Sequence, residues 1–91
     1  MNTRFERIQQ CLEEAFQPQL CRLQDDSAAH KGHAGAASGG GHYSVTIVSE
    51  KFAGLNRISR HRLVYDAVGD LMQSEIHALV VQALTPSEAP I

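Results

Sequence analysis

Residues 42–49 read His42-Tyr43-Ser44-Val45-Thr46-Ile47-Val48-Ser49, and this stretch organises the rest of the chain. Tyr43, Val45, Thr46, Ile47 and Val48 are aromatic or β-branched, the side chains that pack best on a pleated surface, so a strand is predicted over 42–49. Upstream, residues 19–25 (QLCRLQD) alternate more weakly, with Cys21 and Leu23 set against Arg22 and Gln24. A strand there would pair with 42–49 as a hairpin. Between the two lie residues 26–41 (DSAAHKGHAGAASGGG), which hold the glycines at 32, 35, 39, 40 and 41 and show no hydrophobic period. A connection of this length exceeds most in compact domains and is read as mobile, functional or both.

Outside the hairpin the period changes. Phe5, Ile8, Leu12, Ala15 and Phe16 recur at helical spacing, and Thr3 with Glu6 forms a capping box, so a helix is predicted over 3–16. Gln17-Pro18 stops it, because the residue before proline avoids the helical region. Residues 50–58 are a connector with a turn at Gly54. Ser59 is the expected N-cap of a second helix, about 60–73, whose apolar stripe would be Leu63, Val64, Ala67, Val68, Leu71 and Met72. Residues 76–84 (IHALVVQAL) fit a helix by period, but their short length and Val80-Val81 favour a strand. Thr85-Pro86-Ser87-Glu88 is another capping-box pattern, with room for one turn. The order α-β-β-α-β predicts a two-layer α+β domain with helices on one sheet face.

Ninety-one residues make one domain, and 43% apolar with 20% charged residues is a globular composition. A net charge of −2 argues against a surface built wholly for DNA but leaves room for a local basic patch. Aromatics at 5% and no Trp weaken the idea of stacking platforms for single strands. No apolar run approaches the roughly 18–20 residues that cross a bilayer, and the first residues lack a signal-type apolar core. The expected compartment is a reducing cytoplasm, with no membrane partner. The spacing of Cys11 and Cys21 leaves a disulfide open, though buried thiols are the more ordinary outcome.

Five histidines are the chemically notable feature. His30, His33 and His42 lie in or beside the glycine-rich segment, His61 sits between two arginines, and His77 opens the last strand. Imidazole is a common ligand for borderline metals. The plainer reading of a histidine at a strand start is a packed or hydrogen-bonded side chain. No helical H-x-x-x-H, C-x-x-C or C₂H₂ pattern is present, which argues against a closed structural zinc site. No G-x-S-x-G, Walker A loop or G-x-G-x-x-G is present either, so no enzyme is read from the residues. Lys51, Arg57, Arg60 and Arg62 gather half of the eight basic residues into twelve positions. Arginine at a helix start works against the helix dipole, which points to a phosphate-binding surface; a solvated helix start is the alternative.

Several strings then stand in a familiar order. They are Asp25-Asp26-Ser27, a loop with His30, Gly41-His42-Tyr43-Ser44-Val45 and Val48-Ser49-Glu50-Lys51-Phe52-Ala53-Gly54. Arg60-His61-Arg62-Leu63-Val64-Tyr65, Ile76-His77-Ala78-Leu79 and Thr85-Pro86-Ser87-Glu88 follow. Singly each is weak; in this order, across nearly the whole chain, they resemble the BolA family. The resemblance implies a type II KH-like α+β fold, with a three-stranded mixed sheet covered by helices on one face. It also implies a helix-turn-helix-like element around residues 50–65.

The resemblance carries two functions. The first is non-enzymatic iron–sulfur assembly, trafficking or iron sensing with a monothiol glutaredoxin whose active site reads Cys-Gly-Phe-Ser. The pair shares a [2Fe–2S] cluster, for which the resemblance implies His77 and a loop residue, best His30 with His33 as substitute. Two imidazoles are too few for a stable cluster, so the glutaredoxin and glutathione would supply the thiolates, and no cofactor is expected in the isolated chain, a monomer or weak homodimer. The second is stress-related transcriptional regulation by direct DNA contact, with Arg57, Arg60, His61, Arg62 and Lys51 as the candidate contacts. No Gly-X-X-Gly loop lies between residues 54 and 69, so the fold resemblance alone does not support RNA binding.

Overall fold

The central strand is β2 (Gly41–Val48), and its alternation sets the layers. Tyr43, Val45 and Ile47 are buried, while His42, Ser44 and Thr46 between them are half-buried on the opposite face. β1 (Leu20–Asp25) pairs with β2 antiparallel, and β3 (Ile76–Leu84) pairs with it parallel on the other side. A parallel neighbour requires a crossover, supplied here by a 3₁₀ turn (Glu50–Phe52), α2 (Arg57–Val68) and a short α3 (Leu71–Ser74). The structure is a computed structural model and describes residues 3–26, 41–74 and 76–89. The segment expected to be mobile or functional, 26–41, therefore falls, from 27 to 40, outside the described residues.

α1 (Arg4–Phe16) begins as its capping box predicts: the Glu6 N–H donates to Thr3 Oγ1 and the Thr3 N–H donates to Glu6 Oε1. Such a cap contributes about 1 kcal/mol. The helix ends at Gln17, in the left-handed region at φ 44°, just before Pro18. Ile8, Leu12 and Phe16 of α1 join Val64 and Val68 of α2 and the inward row of the sheet in one core. Phe52, on the 3₁₀ turn, is fully buried with its ring 4.9 Å from that of Phe16. Ser49 leaves β2, donates its hydroxyl to the Phe16 carbonyl and accepts from the Lys51 N–H, tying α1 to the start of the crossover.

The predicted α+β class, the hairpin and strand 76–84 are found, and the sheet is three-stranded and mixed with its helices on one face. The second helix differs from expectation. Its N-cap is Asn56, whose side chain accepts from the Ser59 N–H at 2.8 Å, so Ser59 lies inside the first turn. Gly69, at φ 52°, ends α2 and splits the predicted 60–73 helix. Leu63, assigned to the apolar stripe, is partly exposed, because the buried face runs through Arg60, Val64, Ala67 and Val68.

Arg60 closes the far end of the molecule. Its Nε donates to the Leu55 carbonyl at 2.8 Å and its Nη1 to the Ala83 carbonyl at 3.0 Å. The guanidinium also grips Glu88 in two bonds, Nη1 to Oε1 at 2.6 Å and Nη2 to Oε2 at 3.2 Å. Glu88 Oε1 accepts in turn from the Thr85 N–H, which closes the predicted single turn after β3. Hydrogen bonds from Arg60 first, then Thr85, hold the Glu88 carboxyl down at about 2.

A Cβ at Gly41 would lie against the Tyr43 ring and 2.7 Å from Arg4 Nη1, whereas a Cβ at Gly54 (φ 77°) meets nothing. Gly41→Ala is expected to cost about 1–3 kcal/mol in urea unfolding by overpacking, and Gly54→Ala about 1 kcal/mol by backbone strain alone. Because the folded-state Glu88 value is depressed from 4.5, its contribution to stability is present above about pH 4.5 and disappears as pH falls towards 2. Urea midpoints measured from pH 6 to 2 should therefore fall less steeply in Glu88→Gln than in the wild type, with high salt narrowing the gap.

Candidate functional site

The two imidazoles at the start of β2 and β3 meet on the sheet face that carries none of the described helices. The register pairs Gly41 with Ile76 and then His42 with Ala78, so His77 is an extra residue, a bulge in β3. Bulges re-aim side chains beside functional sites. Here Ile76 enters the core while His77 is left exposed. The His77 ring lies 4.9 Å from that of His42, centroid to centroid, tilted by 48°. An imidazole nitrogen binds a borderline metal at about 2.0–2.1 Å, which puts the ring centres of two imidazoles on one ion about 5 Å apart. The observed separation fits that requirement. His42 Nε2 is shielded from solvent, so His77 is the more accessible of the two rings.

His30 and His33, the loop candidates, lie outside the described residues. The segment that carries them leaves and re-enters the sheet beside this pair. The Asp26 N–H donates to the His42 carbonyl at 2.7 Å, Ser44 Oγ donates to Asp26 Oδ2 at 2.9 Å, and Gly41 pairs with Ile76. Among the described residues no group of three or more His, Cys, Asp or Glu could hold a metal ion. The described residues thus bring two imidazoles together. Sequence reading did not select His42. The signal for it, strand alternation placing it opposite the buried Tyr43, was present, but its neighbour depends on the parallel pairing with β3.

Cys21 offers no thiolate. Cys11 and Cys21 are free and half-buried, and burial, then the charge of Glu13, pushes the Cys21 thiol up to about 11. A thiol so shifted stays protonated at neutral pH and is a poor nucleophile or ligand.

The basic segment is divided by the fold. Arg60, with its side chain 13% exposed, is committed to Glu88, Leu55 and Ala83 and holds structure together rather than facing a ligand. Lys51, Arg57 and Arg62 are exposed. His61 is half-buried, 6.4 Å from the Tyr65 ring, and with Arg57 lines a groove of about 250 Å³ against Val81–Leu84. The expected helix-turn-helix-like element consists of a three-residue 3₁₀ turn, the bend at Gly54 and α2. Because α2 belongs to the helical layer, the exposed cations and the histidine pair occupy different layers of the molecule. Among the described residues no helix is long and apolar enough to cross a membrane.

Comparison with known proteins agrees with this architecture. A family model described as BolA-like protein matches residues 12–88. BolA-like protein 1 of Mus musculus is 37% identical over 77 residues, 85% of this chain and 54% of the mouse protein, so the chain spans about half the length of that relative. The DNA-binding transcriptional regulator BolA of Vibrio cholerae is 38% identical over 81 residues, 89% of this chain and 74% of the regulator. Among solved structures, BolA1 from Arabidopsis thaliana superposes with a TM-score of 0.84 at 32% identity, covering 99% of this chain and 100% of that one. With the family match spanning both strands of the hairpin, the crossover and the bulged strand that carries His77, the chain belongs to the BolA-like protein family.

Proposed function

We propose that this protein is a non-enzymatic BolA-type adaptor that binds a monothiol glutaredoxin and co-ligates a shared [2Fe–2S] cluster. The observation that carries the reading is the exposed His77, lifted out of the ladder by a bulge and 4.9 Å from a second imidazole. Two imidazoles suit iron but do not complete a cluster site. A partner with two thiolates, one from the glutaredoxin and one from glutathione, supplies what this chain lacks. When bound, the cluster contributes electron-transfer or iron-donor chemistry; the protein contributes ligation, orientation and a surface. His77 is the fixed ligand. The second comes from His30, with His33 as substitute, or from His42. Ligation needs neutral imidazole, so proton and metal compete for the same nitrogen.

The test is anaerobic reconstitution with a Cys-Gly-Phe-Ser glutaredoxin and glutathione, followed by visible absorption and circular dichroism. The wild type should give a spectrum distinct from that of the glutaredoxin alone. His77→Ala should abolish it while leaving the far-ultraviolet spectrum and melting temperature intact. Of His30→Ala, His33→Ala and His42→Ala, the one that alters the spectrum names the second ligand. A glutaredoxin spectrum unchanged by the wild type would overturn the reading.

A second reading, a DNA-binding regulator, is favoured by the role that the Vibrio cholerae relative is named for and by the exposed Lys51, Arg57 and Arg62. Removing one cation that neutralises a phosphate should lower the slope of log affinity against log salt by about 0.9. On this reading Arg57→Ala and Arg62→Ala each flatten that slope on duplex DNA, and Arg60→Lys acts only through stability.

A further inference from the structure

We infer that the open face of the sheet, centred on Val80, is the surface on which the thiolate-bearing partner seats, and that the exposed face of α2 is not. The inference rests on the shared-cluster reading, and adds to it where the partner lies and which side chain it covers.

Geometry supplies the first argument. His42 alternates with the buried Tyr43 and so projects from the face opposite the helices, with His77 beside it. Any group bonded to His77 must approach from that side. A standard interface buries about 800 Å² on each partner, a disc of roughly 16 Å radius. Val80 lies two residues along β3 from Ala78, the register partner of His42, or about 6.6 Å at strand rise. It therefore falls well inside the footprint of a partner centred on the histidine pair. α2 lies behind the sheet, with the core between.

Composition supplies the second. The middle rows of this face are Gln24, Ser44 and Val80, then Arg22, Thr46 and Gln82, in which Arg22 is the one charged side chain; the Asp26 carboxylate, accepting from Ser44 Oγ, stands beside the first row. The helical layer, by contrast, exposes Glu13, Glu14, Arg57, Arg62 and Asp66. Charge depletion marks the core of a protein interface, whereas a face meant only for water carries mixed charge. Nucleic acid would demand the reverse, a positive face. Val80, a branched aliphatic, is 67% exposed. Val80 lines a shallow groove of about 180 Å³, and a second of about 190 Å³ shares Arg22, Thr46 and Gln82 with it, so the face has relief in which a side chain can seat.

The experiment compares two exposed aliphatic residues on opposite layers, Val80 and Ile58, the latter 66% exposed on α2. Wild type, Val80→Glu, Val80→Thr, Ile58→Glu and His77→Ala are titrated against cluster-loaded Cys-Gly-Phe-Ser glutaredoxin, with binding read by calorimetry and cluster sharing by circular dichroism. Val80→Thr keeps the β-branched shape and guards against a folding defect in Val80→Glu; melting temperatures are recorded for all. Val80→Glu is expected to weaken binding at least tenfold, Val80→Thr about threefold, and Ile58→Glu less than twofold. If Ile58→Glu weakens binding and Val80→Glu does not, the partner seats on α2 and the inference is overturned, although loss of the spectrum in His77→Ala still upholds the shared cluster. Equal binding by wild type and both glutamate variants, with His77→Ala still silent, also overturns it. If the wild type forms no complex, the shared-cluster reading itself fails, and this surface falls with it.

Discussion

The inward row of β2 has to be buried on one side only, and most of the architecture follows from that requirement. Tyr43, Val45 and Ile47 face Ile8, Leu12 and Phe16 of α1 and Val64 and Val68 of α2, with Phe52 filling the end of the layer. A helix layer on one face satisfies the row, at roughly 1.5–3 kcal/mol for each large side chain taken out of water. β2 then needs a strand on each side to satisfy its backbone, since unpaired buried amides and carbonyls are costly. The short route back gives the antiparallel β1. The route through α2 gives the parallel β3, and with it the open face that holds the histidine pair.

The parallel pairing also explains why His77 stands where it does. Ile76 must enter the core beside Gly41, and Leu79 and Val81 must enter it farther on, opposite Tyr43 and Val45. Between Ile76 and Leu79 there are two residues, where strict alternation allows one. The bulge absorbs the surplus, and His77 is the residue left outside the ladder. Its exposure is thus a consequence of core registration. Gly41 belongs to the same adjustment, because the Tyr43 ring and Arg4 already fill the space of its missing side chain.

Arg60 shows how a motif can mislead about the use of a residue. In the sequence it is one of four cations within twelve positions, and the cluster reads as a phosphate surface. In the fold its guanidinium joins the turn before α2, the end of β3 and the final turn through Leu55, Ala83 and Glu88. Its Nη1–Ala83 bond, with that from Tyr65 Oη to the Leu79 carbonyl, also occupies carbonyls on the outer edge of β3, which would otherwise invite another strand. Lys51, Arg57 and Arg62 remain outside this arrangement.

Local chemistry was legible without coordinates. The capping box at Thr3 and Glu6, the break at Pro18, the strands and the turn at Thr85–Glu88 each depend on residues within one or two turns of one another, where propensity and hydrogen bonding act directly. The start of α2 was misplaced because two good caps, Asn56 and Ser59, lie three residues apart, and only the packing of Val64 and Val68 chooses between them. Long-range partners were not legible. The 4.9 Å approach of His42 to His77 joins positions 35 residues apart, and the Arg60–Glu88 pair joins positions 28 apart. The sequence by itself determined the elements, their order and the residue types available for metal or phosphate. The tertiary structure decided which of them meet, because strand register and the parallel crossover are settled by burying the core, and that information is spread over the whole chain.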